Sequence, residues 1–105
     1  MASSSDRPIQ AEVTLNDPIN PLFDVLDMPL ANTEYSYVFP TALRKYRIKA
    51  RGNFSFVYSN VSGFSTLYET VPLGYVVEEY LGAADITLYF KSPSPSVTLE
   101  IVSWT

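Results

Sequence analysis

From residue 34 onward, five stretches of this chain place apolar residues at every second position, and no window carries a sustained helical period. Side chains of an extended strand alternate between two faces, so such a pattern folds as strands with one face buried and one in water. EYSYVF (34–39) sets Tyr35, Tyr37 and Phe39 on one face. RKYRIKAR (44–51) sets Tyr46, Ile48 and Ala50 against Lys45, Arg47, Lys49 and Arg51. NFSFVY (53–58) aligns Phe54, Phe56 and Tyr58, and DITLYF (85–90) aligns Ile86, Leu88 and Phe90. VTLEIVSW (97–104) sets Val97, Leu99 and Ile101 against Thr98, Glu100 and Val102. TLYETV (66–71) and YVVEEY (75–80) are shorter candidates.

Turn chemistry supplies a first guess at pairing. A three-residue loop at Arg51, Gly52 and Asn53 predicts a hairpin with Ala50 beside Phe54, Ile48 beside Phe56 and Tyr46 beside Tyr58, all six on one face. A two-residue loop would set Lys49 opposite Phe56 and bury a cation, which is strongly unfavourable. The loop Ser92–Pro95 predicts a second hairpin, pairing Phe90 with Val97, Leu88 with Leu99 and Ile86 with Ile101. Between 66 and 80 the register stays open. Pro72-Leu73-Gly74 is a good turn, but Glu69 and Glu79 spoil either choice of apolar face.

The chain has 105 residues, including 8 Tyr and 6 Phe, and a single-layer sheet cannot bury that many rings. The expectation is therefore an all-β protein: one small β-sandwich or jelly-roll-like domain of 7–8 short antiparallel strands. The segment before it differs. Pro8, Pro18, Pro21, Pro29 and Pro40 fall in the first 43 residues and discourage helix there. Residues 10–15 (QAEVTL) alternate and offer one strand, with Ala11, Val13 and Leu15 on one face. PLFDVLDMPL is apolar but interrupted. The reading is an extended N-terminal arm over 1–33 and a β-sandwich over 34–105.

Two zeros narrow the chemistry. With no Cys and no His, the chain has no thiol nucleophile, disulfide, Cys/His zinc site or His-dependent triad. Glu78 and Glu79 are adjacent, so on a strand they point to opposite faces and do not form an acid–base pair. Asp17, Asp24 and Asp27 match no calcium loop. No glycine-rich phosphate loop occurs. These features predict a non-enzymatic protein with no metal and no cofactor.

The net charge of −4 is unevenly distributed. Residues 1–43 carry Arg7 against six acids, residues 44–51 carry five cations and no acid, and residues 52–105 carry Lys91 against five acids. An acidic body with one basic strip is a poor general nucleic-acid binder and suits contact with another protein or a second copy. No apolar run approaches the roughly 20 residues that span a bilayer, and MASSSDRPIQ has no apolar core for secretion.

Lys45, Arg47, Lys49 and Arg51 stand about 6.6–6.8 Å apart along one strand face and are read as a partner-binding row. The competing reading is a solvated face flanked by acids of the same chain. Leu22, Phe23 and Leu26 are read as contacts of the arm with a neighbour, and Tyr68 and Tyr89 as further partner contacts, because Tyr is enriched at interfaces.

The stretches KYRIKARG (45–52), YETVPLGYVVEE (68–79) and ITLYFKSPSPSVTLEIVSW (86–104) resemble a group of small structural proteins of tailed bacteriophages. The resemblance covers the C-terminal part of the chain and names no binding residue. It implies a β-rich, oligomeric, non-enzymatic virion component, a head decoration (cement) protein or a neck or tail accessory. Its partners would be the major capsid protein or other virion proteins, with assembly in the cytoplasm of a bacterial host. The alternative is a carbohydrate- or receptor-binding β-module of a tail or fibre.

Overall fold

The computed structural model describes residues 21–64 and 66–105. Among the described residues there are eight strands and no helix: β1 (Pro21–Met28), β2 (Tyr35–Val38), β3 (Leu43–Ala50), β4 (Phe56–Ser59), β5 (Glu69–Val71), β6 (Val76–Ala84), β7 (Thr87–Lys91) and β8 (Val97–Trp104). They form two four-stranded sheets, β1-β8-β3-β6 and β2-β7-β4-β5. Every ladder is antiparallel. β1 lies beside β8, and the described chain passes between the sheets at every connection except β4 to β5, which is the jelly-roll order. The sequence 10–15 lies outside the described residues.

The alternation read from the sequence is the alternation of burial. Ile48, Leu99 and Ile101 of one sheet meet Phe56, Leu88 and Phe90 of the other, with Met28, Phe39, Leu43, Tyr46, Val71 and Val97 completing the core. Phe54 and Ile86 are half-buried against it.

Both expected hairpins are corrected. β3 and β4 belong to opposite sheets, as do β7 and β8. The residues aligned in each expected hairpin all belong to or pack against the one core between the sheets, rather than pairing along a ladder. Side-by-side pairing would leave both apolar faces in water, whereas stacking buries each against the other. The loops after Ala50 and after Lys91 are therefore arches between sheets. β4 and β5 are the only sequence neighbours that pair, among the described residues.

The open register between 66 and 80 has the same explanation. β5 and β6 are edge strands of different sheets, linked by a turn in which Tyr75 N donates to Pro72 O at 3.2 Å. Gly74, at φ +82°, occupies the position of that turn that needs positive φ. Glu69 and Glu79 are never cross-strand neighbours. Each pairs with a tyrosine, Tyr58 and Tyr46 respectively, at the open side of the sandwich.

The arm boundary is also corrected. Residues 21–28 form β1, paired with β8 along its whole length from Pro21–Trp104 to Met28–Val97. The sandwich thus includes Pro21–Met28 and does not start at residue 34. Proline is tolerated at the first residue of an edge strand. The inward face of β1 reads Leu22, Asp24, Leu26, Met28, and the acid at its second position hides the alternation.

Candidate interaction surface

The outer face of the β1-β8-β3-β6 sheet holds the basic row. Three cross-strand rows build it, running from β1 to β6: Pro21–Trp104–Lys45–Tyr80, Phe23–Val102–Arg47–Glu78, and Val25–Glu100–Lys49–Val76. In the first row the Lys45 ammonium sits between two rings, 4.8 Å from the Tyr80 centroid and 4.6 Å from that of Trp104. Lys45 also reaches Glu78 at 3.8 Å. In the third row Glu100 takes Lys49 at 3.7 Å and Arg51 at 2.7 Å. The bond from Arg51, joined by the charges of Arg51 and Lys49, holds the Glu100 carboxyl below the usual range.

Acids of the same chain therefore flank much of the row. Arg47 differs: its guanidinium lies 5.9 Å from the Trp104 ring, and it makes no salt bridge among the described residues. Beside it, Val102 is only 5% exposed although it lies on the outer face of the sheet. The sequence places it there as a solvated residue. Its position on the central strand β8, flanked by Phe23 and Arg47, covers it.

These rows enclose a hollow of about 920 Å³, lined in part by Phe23, Val25, Arg47, Val76 and Val102. Its rim is apolar and open: Phe23 is 71% exposed and Val76 50%. Val25 and Tyr80 on the same face are exposed as well. The long edges of this sheet carry acids, Asp24 and Asp27 on β1 and Glu78 and Glu79 on β6. Charged edge strands resist pairing with another sheet, so the face rather than the edge is the accessible part.

The remaining expected contacts separate. Phe23 lies on this face, while Leu22 is exposed on the inward side of the edge. Leu26 is partly buried and packs against the core. Tyr89 lies on the outer face of the other sheet, between Ser36 and Ser59. Tyr68 is half-exposed beside Phe64, their centroids 6.2 Å apart.

Tyr68 lines a second opening, about 620 Å³, between the edges of β5 and β6. Tyr58 donates to Glu69 Oε1 at 2.9 Å there. Burial first, then the bond to Glu69, raises the Tyr58 hydroxyl pKa. Burial raises that of Tyr46 too, and the Glu79 charge adds to it. Asn60 and Glu79 share this opening. Among the described residues no cluster of three His, Cys, Asp or Glu side chains is arranged to hold a metal, and no helix is long and apolar enough to cross a membrane.

The described residues form a jelly-roll β-sandwich of eight strands carrying a basic and aromatic outer face. No protein-family model and no curated protein matches it. A solved structure described as "Bacillus endospore appendages form a novel family of disulfide-linked pili" is similar to it, at 15% identity and a TM-score of 0.44 over 82% of this chain and 87% of that one.

Proposed function

We propose that this chain is a non-enzymatic structural subunit of a bacteriophage particle, a capsid decoration protein that holds the shell through several weak contacts at once. The observation that supports the reading best is the outer face of β1-β8-β3-β6, where exposed Phe23, Val25, Val76 and Tyr80 surround a cationic row. Exposed apolar patches rimmed by polar groups mark interaction sites. Several such contacts on one lattice reach an avidity that none has singly. The resemblance of 45–104 to small phage structural proteins supplies the setting, with the major capsid protein or another virion protein as partner and further copies of the chain as neighbours.

The test is cosedimentation of the purified chain with shells that lack it, followed by imaging of the particle. Density on the shell lattice is the expected result. No binding to shells, or density confined to a distal fibre, sinks the reading. The second reading, a glycan-binding module, draws on the opening beside Tyr68, where a half-exposed ring, Asn60 and two carboxylates converge. Aromatic faces and carboxylate acceptors are groups that hold sugars, and a glycan microarray probed with Tyr68→Ala as control tests it.

A further inference from the structure

The hollow on the outer face of β1-β8-β3-β6 has an apolar floor and rim, and its walls set Arg47, Lys49 and Arg51 beside Asp24, Glu78 and Glu100. Glu100 takes Lys49 and Arg51, which leaves Arg47 as the cation of the hollow with no salt bridge among the described residues. The edges of the sheet are acidic and do not suit pairing.

One segment of the chain has the opposite character. Residues 1–20 carry Arg7 against Asp6, Glu12 and Asp17, a net −2, and within them QAEVTL alternates with Ala11, Val13 and Leu15 on one face. These residues join the sandwich at Pro21, beside Trp104 and at the margin of this same face. Twenty residues reach about 65 Å when extended, far more than the roughly 14 Å between the outer strand axes of a four-stranded sheet. The segment therefore has the length to cross to an adjacent subunit.

We propose that residues 1–20 of one copy dock into this hollow on a second copy. The alternating apolar residues of the segment suit Val25, Val76 and Val102, and its acids suit Arg47, which makes no salt bridge among the described residues. Because each subunit offers one segment and one face, the contact is head-to-tail and links copies into rings or rows. The inference rests on the structural-subunit reading, which supplies the neighbours, but the two fail separately.

The test uses full-length chains and the single Trp, which lies on this face. Sedimentation of the wild type over a dilution series should show association beyond the monomer. Trp104 emission should shift to the blue as concentration rises, and raising salt from 0.05 to 0.5 M should weaken association about tenfold. Val13→Asp in the segment and Val76→Asp on the face should each leave a monomer with an unchanged melting temperature. Mixed together, they should form a one-to-one dimer that neither forms alone, since one keeps an intact face and the other an intact segment. Phe23→Ser replaces Val76→Asp if that variant unfolds. A mixture that stays monomeric, Trp104 emission independent of concentration, or association untouched by Val13→Asp overturns the proposal. A monomeric chain that still sediments with shells would sink the docking and leave the functional reading standing.

Discussion

Tyr37 donates its hydroxyl to Asp24 Oδ2 at 2.9 Å, and the bond joins the two sheets at the side where β1 and β2 are edges. Tyr58 and Glu69, with Tyr46 behind them, sit at the opposite side. A tyrosine and a carboxylate thus mark each open flank of the sandwich, where the apolar core meets water and a side chain with an apolar ring and a polar tip fits both.

These tyrosines predict an alkaline limit. Burial, then the bond to Asp24, pushes the Tyr37 pKa up to about 12, and the hydroxyls of Tyr46 and Tyr58 are raised as well. A tyrosine that stays protonated in the fold but ionises near 10 when unfolded contributes its full stability below pH 10 and loses it as pH rises toward the folded value. Denaturant midpoints should therefore fall steadily above pH 10, and Tyr37→Phe should flatten the slope. A wild-type midpoint constant from pH 9 to 11.5 would contradict this.

A buried hydroxyl predicts a stabilising substitution. Ser103 is 1% exposed and its Oγ has no hydrogen-bond partner among the described residues. An unpaired buried polar atom costs about 1–3 kcal/mol, so Ser103→Ala should raise stability by about 1 kcal/mol. Phe56→Ala, at a fully buried ring, should cost about 3–5 kcal/mol. Urea unfolding of the two variants checks both signs.

An acidic limit follows from Glu34 and Glu100. Glu34 accepts from Ser62 Oγ and from Gly63 N, both at 2.7 Å, and these bonds with the Lys91 charge lower its pKa. Arg51 and Lys49 lower that of Glu100. A carboxyl with a depressed folded pKa stabilises the fold above its ordinary value near 4.5 and loses that contribution as pH falls through its folded value. The melting temperature should drop below pH 4.5, and less steeply in Glu34→Gln than in the wild type.

Charge reversal separates the cations of the basic row. Lys49→Glu sets a carboxylate beside Glu100 and should lower the melting temperature slightly, an effect that high salt diminishes. Arg47→Glu brings a carboxylate opposite Glu78 and removes the cation nearest Val102, so it should weaken association as well. Calorimetry and sedimentation at two salt concentrations read the two effects independently.

Gly74 tests the arch between β5 and β6. A Cβ there meets nothing within 4 Å, so only the backbone at φ +82° opposes it. Gly74→Ala should cost about 1 kcal/mol through strain alone. A neutral result would show that the turn relaxes to another conformation.

Period-two alternation was enough to place seven strands and, outside 66–80, to say which side chains face inward. Ile48, Leu88, Phe90, Leu99 and Ile101 follow it without exception. The turn residues marked where strands end, and the absence of Cys and His limited the chemistry. Alternation also exposed the basic row, because four cations at every second position share a face in any sheet. It missed β1, since Asp24 interrupts the inward face at an edge where a carboxylate can still reach water and Tyr37. It did not find the partners of each strand. An apolar face is satisfied equally by a strand opposite or, with a second layer above, by one beside it. The choice between hairpin and arch depends on the burial of all eight faces together, which no local pattern carries. Tertiary structure alone set Glu100 between Lys49 and Arg51, Lys45 between Tyr80 and Trp104, and Val102 beside Phe23, because these neighbours come from strands distant in sequence and meet only through the jelly-roll order.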